Sequence, residues 1–215
     1  MTSEPIVLAS RVHLLHRRRF KWRGAAGVLV LGPPFVFTIL ATPLVTPRSW
    51  ADVAINSAAW ITFIAGAGIR FWATLYIGGR KNDVAVTEGP YSLCRHPLYF
   101  GSLLVAVSAG LFLKSIVFAA ALAILTVLYM QGTVRVEEAS LAERLGDAYR
   151  EYCRRTNRFW PSFRHFQAAP RLTVDLHSLY LECARASRWI WIPLVGEVIG
   201  ALRDAPWWPR LFTIP

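Results

Sequence analysis

One residue, Lys114, is all that separates two apolar stretches, 97–113 and 115–130. Each comes close to the roughly 17 residues that a helix needs at minimum to cross a bilayer. A link that short permits only an antiparallel helical hairpin. Two further apolar stretches precede it: 24–45, which Pro33 and Pro34 should kink, and 51–77. The pattern predicts an all-α integral membrane protein with four spans. A later apolar segment, 188–202, is interrupted by Pro193 and Glu197. It is expected to be interfacial or re-entrant, with a fifth span as the alternative.

Composition agrees with a membrane setting. The chain is 54% hydrophobic and 17% charged, whereas soluble domains carry about 25% charged residues. The net charge of +11 is therefore read as basic flanks beside anionic lipid headgroups, and no nucleic-acid partner is expected. Cys94, Cys153 and Cys183 form no CxxC pair, which argues against a disulfide framework and a metal site. The opening MTSEPIVLAS lacks the basic and apolar regions of a signal peptide, and residues 11–23 read as a basic amphipathic arm on the membrane surface.

Basic residues also set an orientation. Lys and Arg cluster before the first span, between the second and third, and after the fourth, while the opposite loops offer only Arg48 and Lys114. The N-terminus, the 78–95 loop and the tail should share the cytoplasmic face of an inner, cytoplasmic membrane. Beyond Met130, Glu137, Leu141, Leu145, Ala148 and Tyr152 recur at helical spacing, predicting an amphipathic helix that continues the fourth span into the cytosol. The chain thus divides into an N-terminal arm (1–23), two spans (24–77), a core (78–161) and a C-terminal extension (162–215).

The chemistry concentrates at GPYSLCRHPLYFG, residues 89–101. Gly89, Pro90 and Tyr91 impose a turn, and Pro97 suits the first turn of the third span. Arg95 and His96 then sit with Tyr91 and Tyr99 at a polar, aromatic notch. Taken singly, Arg95 reads as a snorkelling side chain and His96 as a helix cap. Glu137 lies on the apolar stripe of the amphipathic helix, where an unpaired carboxylate would cost several kcal/mol. Its neighbour Glu138 is read as solvated. The hairpin returns Glu137 to the face holding Arg95 and His96. A sulfonium-bearing amino acid with an adenine ring suits such a notch: Glu137 for the ammonium, Arg95 or His96 for the carboxylate, tyrosines for the ring and sulfonium.

TEGPYSLCRHPLYFG, a short hairpin, and EEASLAERLGDAYREYCRRTNRFWP together resemble the isoprenylcysteine carboxyl methyltransferases, which belong with the phospholipid N-methyltransferases. The resemblance covers roughly residues 68–161. It implies an S-adenosyl-L-methionine-dependent enzyme that methylates a lipophilic acceptor entering from the bilayer. It further implies that Tyr91, His96, Pro97, Leu98, Tyr99 and Glu137 contact the cofactor, beside Arg95 from the reading of the notch, and that Asp83, Val84, Ala85 and Val86 occupy a further cofactor loop. The eukaryotic members carry a substrate arginine at the position of Thr133. Arg135 lies two residues on, on the opposite helix face, and Arg158 is another candidate for an anionic substrate group. A sterol-type reductase using NADPH and a non-enzymatic membrane protein are the alternatives.

Overall fold

The computed structural model of the chain describes residues 29–42, 45–78, 85–209 and 211–213. The expected arm at 11–23, the start of the first span, Asp83 and Val84 lie outside the described residues. The order of elements is α1 (Leu29–Leu40), β1 (Ala41–Thr42), α2 (Trp50–Ile77), α3 (Pro90–Leu93), α4 (Pro97–Phe112) and α5 (Ile116–Arg155). A single 3-10 turn at Phe163–His165 follows, then α6 (Leu176–Trp189), α7 (Trp191–Asp204) and β2 (Phe212–Thr213). The two strands pair in parallel, two residues each, and all other regular structure among the described residues is helical. α2 and α5 are long and apolar enough to cross a membrane, while α1 and α4 are shorter apolar helices.

Local sequence sets the helix starts. Ser49 and Ser115 cap α2 and α5 by accepting the amides of Asp52 and Phe118, which satisfies donors that the first turn leaves free. Pro97 opens α4, where its missing N–H costs nothing. His96 sits at that N-cap without a side-chain cap bond, so the expected capping role does not hold; its ring is held elsewhere. The hairpin between α4 and α5 is as tight as expected. Lys114 turns it at φ 50° and pairs with Asp52 of α2, and Gly110 lets Ala119 close against it.

Among the described elements α2 and α4 form the most extensive helix contact, and small residues face each other there. A side chain at Gly66 would start 2.8 Å from the Gly101 carbonyl oxygen, and one at Gly101 would start 2.7 Å from that of Gly66. Between apolar helices such close backbone approach supplies the packing that a hydrophobic gradient cannot. α5 runs unbroken from the hairpin past Met130, as the periodicity of its second half predicts, until Gly146. There the backbone takes φ 58°, ψ −133°, a conformation open to little but glycine, and the last turns are re-aimed so that Tyr149 and Tyr152 are buried.

The segment expected to be interfacial or re-entrant forms two successive helices along the whole bundle. Asp175 and Ser178 lie beside Gly78 at the end of α2. Trp189 and Ile192 pack on Ala59, Phe63, Val105 and Phe112, and Gly196 touches Phe112. At the far end Arg203 donates to the carbonyls of Leu113 (2.9 Å) and Ala41 (3.0 Å), and Trp208 donates to that of Ile39. Pro193 lies in the first turn of α7, and its missing amide accounts for the interruption at Ile190.

Two glycines of α5 separate backbone strain from space. A side chain at Gly146 or at Gly132 would meet nothing within 4 Å. Gly146→Ala is expected to destabilise the protein by about 1–3 kcal/mol through its positive φ. Gly132→Ala, in regular helix, should stabilise it by about 0.5–1 kcal/mol. Thermal unfolding of both variants in detergent is the check; equal shifts would refute the break at Gly146.

Candidate active site

A cavity of about 460 Å³ opens between α2, α4, α5 and α6, with α3 and Ala85–Val86 at one end. From Glu137, near that end, to Thr126 the wall extends about 16 Å along α5. Tyr91, Arg95, His96, Leu98, Tyr99 and Glu137 all line it, so the hairpin does bring the notch and the acid together. Pro97 is buried at the start of α4 behind this wall. Thr133 is half-buried and Arg135 exposed, and neither lines the cavity.

The turn carrying Tyr91 and Arg95 is held from both sides. Gly89 begins it at φ 59°, where any side chain would collide with the Tyr76 ring. The segment after α5 then straps along it through backbone bonds: Arg95 N to Asn157 O at 2.8 Å, Ser162 N to Leu93 O at 3.0 Å and Gly89 N to Gln167 O at 2.7 Å. Ser92 Oγ accepts the Gln167 amide. From α5, the Tyr152 hydroxyl donates to the Tyr91 carbonyl at 2.7 Å.

Glu138, expected to be solvated, is instead only 9% exposed and is the hub of the wall. Its Oε1 accepts Arg95 Nη1 at 2.9 Å, His96 Nε2 at 3.0 Å and Arg158 Nε at 3.2 Å, and its Oε2 accepts Arg158 Nη2. The helix-face reading failed because it considered α5 alone; the residues that bury this face come from the turn before α4 and the strap after α5. Glu137, one residue away, has a different setting. It accepts the Tyr99 hydroxyl at 3.2 Å, is partly exposed and faces the cavity. Arg158 serves Glu138 behind the wall and does not line the cavity.

Burial holds the His96 pKa below its ordinary value despite the pull of Glu138. The ring is therefore neutral near pH 7, and because a carboxylate oxygen only accepts, its proton sits on Nε2. Tyr99 and Phe159 flank it at centroid distances of 5.7 and 5.8 Å. Burial also pushes the Cys94 thiol up to about 11, so this cysteine is not a thiolate nucleophile at neutral pH. Among the described residues no group of His, Cys, Asp and Glu is placed to hold a metal ion.

Two polar atoms of the lining residues are buried and have no partner among the described residues: Tyr91 Oη and Arg95 Nε. Buried donors are rarely left unbonded, so Tyr91 and Arg95, both residues of this wall, keep hydrogen-bonding capacity for an anion, although the two atoms are themselves shielded from the cavity. On the other side the wall offers the Glu137 carboxylate to a cation. That pairing fits the zwitterionic amino-acid end of S-adenosyl-L-methionine. Tyr149 and Tyr152 add aromatic surface to the same wall.

Sequence reasoning passed over Arg70, Ser102 and Arg185, which also line the cavity. For Arg70 a signal existed: a lone arginine inside an apolar stretch marks a functional position by default. For Arg185 there was none, because its helix lies outside the motifs and its approach is purely tertiary.

The phospholipid methyltransferase family model matches residues 47–148, which hold the turn, the hairpin and both glutamates. The nickel-cobalt-cadmium resistance protein NccN of Alcaligenes xylosoxydans xylosoxydans is 31% identical over 84% of this chain and 86% of its own length. The cobalt-zinc-cadmium resistance protein CzcN of Cupriavidus metallidurans is 36% identical over 63% of this chain and 62% of its own. Protein-S-isoprenylcysteine O-methyltransferase B of Arabidopsis thaliana is 32% identical over 44% of this chain and 48% of its own. No solved structure matches significantly.

Two outcomes test the wall. Glu138→Gln leaves two arginines facing a neutral amide and should cost about 1–3 kcal/mol of stability, against at most about 1 kcal/mol for Glu137→Gln. Equal losses in thermal unfolding would refute the hub. Because the folded His96 pKa is lowered, the unfolded chain binds the proton first as pH falls. The stabilisation is complete above about pH 6.5 and is lost as pH falls below it. Unfolding midpoints taken between pH 7.5 and 5.5 should drop, and His96→Gln should flatten that component.

Proposed function

The chain belongs to the isoprenylcysteine carboxyl methyltransferase-like family of membrane methyltransferases, related to the phospholipid methyltransferases, and on that premise we propose that it transfers a methyl group from S-adenosyl-L-methionine to a lipophilic acceptor. The observation that carries the cofactor is the make-up of the cavity wall: Glu137, which can accept a cation, together with Tyr91 and Arg95, each with one buried donor left unbonded among the described residues. When bound, S-adenosyl-L-methionine supplies an electrophilic methyl group on a sulfonium. The chain's own part is positioning and exclusion of water. Glu137, with Tyr99 donating to it, holds the ammonium, and Tyr91 and Arg95 hold the carboxylate. Glu138 keeps Arg95 and His96 in place from behind. His96 spends its Nε2 proton on Glu138, which supports a positioning role over that of a general base. Ala85 and Val86 line the same end of the cavity, as the resemblance implies for the loop that also includes Asp83 and Val84.

The acceptor reaches the other end of the cavity, between α4 and α5, from the bilayer. α2 and α5 present apolar side chains outward, among them Ile61, Ile64, Ile124 and Leu128, which suits lipid contact in a multi-pass inner-membrane protein with its active site facing the cytoplasm. The C-terminal helices bear on the number of spans. α6 and α7 have 14 residues each, together about 40 Å of helix, more than the roughly 30 Å of a bilayer core. They lead from Gly78, at the active-site end, to Leu113 and Ala41 at the hairpin end. This favours five crossings, the fifth made by α6 and α7, over an interfacial or re-entrant extension.

Two measurements test these readings. Purified protein should bind S-adenosylhomocysteine, and Glu137→Gln should keep the shape of the site but weaken binding by about ten- to a hundredfold, as expected of a lost charged hydrogen bond of about 1.5–3 kcal/mol. Tight binding of NADPH with none of S-adenosylhomocysteine would favour the reductase instead. A topology reporter fused after Pro215 should read as extracytoplasmic; a cytoplasmic reading would return the extension to the interface.

A further inference from the structure

The side of the cavity formed by α2 and α6 is walled by an ion cluster. Arg70 of α2 donates Nε to Glu182 Oε1 at 2.7 Å and Nη2 to Glu182 Oε2 at 3.1 Å. Its Nη1 donates to the Leu98 carbonyl at 3.1 Å and to Ser102 Oγ at 2.5 Å. Its guanidinium lies 4.8 Å over the Trp189 ring. Glu182 of α6 is 0% exposed and accepts a second guanidinium, Arg185 Nη1, at 2.7 Å.

Two arginines thus share one buried carboxylate, and the cluster keeps one positive charge in excess. Both arginines line the cavity, and Glu182 does not. The excess charge therefore faces the cavity, while its compensation lies behind the wall. Arg70 is fixed by four bonds, which makes it a rigid part of the wall. Arg185 is less committed: its side chain is 49% exposed, and the bond to Glu182 is its only one among the described residues. A guanidinium held by one of its N–H groups at a cavity wall presents the others as a fork that matches the oxygens of a carboxylate or phosphate. The surrounding wall is apolar, with Ile77, Leu98 and Met130.

We propose that Arg185, held by Glu182 and backed by Arg70, is the anion-recognition site for the head group of the acceptor, and that the acceptor is an anionic amphiphile. This rests on the reading of the cavity as a methyltransferase site, whose substrate class it specifies. It also gives the C-terminal extension a function: α6 supplies the specificity group that the methyltransferase motifs themselves lack on this wall. The two sources of such an anion are a carboxylate on an apolar chain and a phosphate ester on one.

Equilibrium binding to the full chain in neutral maltoside detergent tests this, with dodecanoate, dodecyl phosphate and dodecanol as probes and S-adenosylhomocysteine measured separately. At least one of the two anions should bind about tenfold or more tighter than dodecanol, the factor expected of a charge-assisted bond of about 1.4 kcal/mol. Arg185→Gln, at a half-exposed position, should bring that ratio to within about twofold of one and leave S-adenosylhomocysteine affinity unchanged. A tighter dodecanoate identifies a carboxylate head group, and a tighter dodecyl phosphate a phosphate one. No preference for either anion, or a preference that survives Arg185→Gln, overturns the proposal. If S-adenosylhomocysteine fails to bind while the anion preference and its loss in the variant hold, the cofactor reading falls and the anion site stands.

Discussion

The Glu138 carboxylate is the point on which the candidate site depends. It accepts Arg95, His96 and Arg158, three side chains from two segments that lie far apart in sequence. Taking a carboxylate from water costs several kcal/mol unless it is paired and fully hydrogen-bonded. That cost is offset only when the turn before α4 and the strap after α5 close together on α5. The interaction is therefore a condition on tertiary structure: the cavity wall exists when all three segments are docked. The backbone bonds between strap and turn and the Tyr152 bond to the Tyr91 carbonyl complete the closure.

A second buried carboxylate does the same for the other half of the fold. Glu182 draws α6 onto α2 through Arg70 and holds Arg185 at the cavity. The two acids divide the labour: Glu138 fixes the wall that carries Arg95 and His96, and Glu182 the wall that carries Arg70 and Arg185. In both, an arginine is oriented by a carboxylate behind the wall, while the carboxylate that faces the cavity, Glu137, keeps only the Tyr99 hydroxyl among the described residues. This difference between adjacent glutamates follows from position on a helix. Residues one apart differ by about 100° in direction, enough to aim one at the cavity and the other at the packed wall.

Contact between apolar helices sets how close these groups come. Gly66 and Gly101 bring the α2 and α4 backbones together, and that approach lets Arg70 reach the Leu98 carbonyl and Ser102. A larger residue at either glycine would separate the helices and move Arg70 away from both, so packing and site geometry are the same constraint seen at two levels.

The sequence by itself determined the helical class, the tight turn at Lys114, the continuation of α5 beyond Met130 and the meeting of Tyr91, Arg95, His96 and Tyr99 with Glu137. These follow from apolar length, proline and glycine placement and helical periodicity, all of which act within one segment or across one short hairpin. Tertiary structure alone decided that Glu138 is a buried hub, that Arg158 serves it, and that Thr133 and Arg135 stay off the wall. It also decided that α6 runs beside α2 with Glu182 against Arg70, across more than a hundred intervening residues. Nothing in the periodicity of α5 or α6 reports which partner covers a given face. Pairing of distant charges depends on their distance and on the water excluded between them, and both quantities come into being only when the helices have packed.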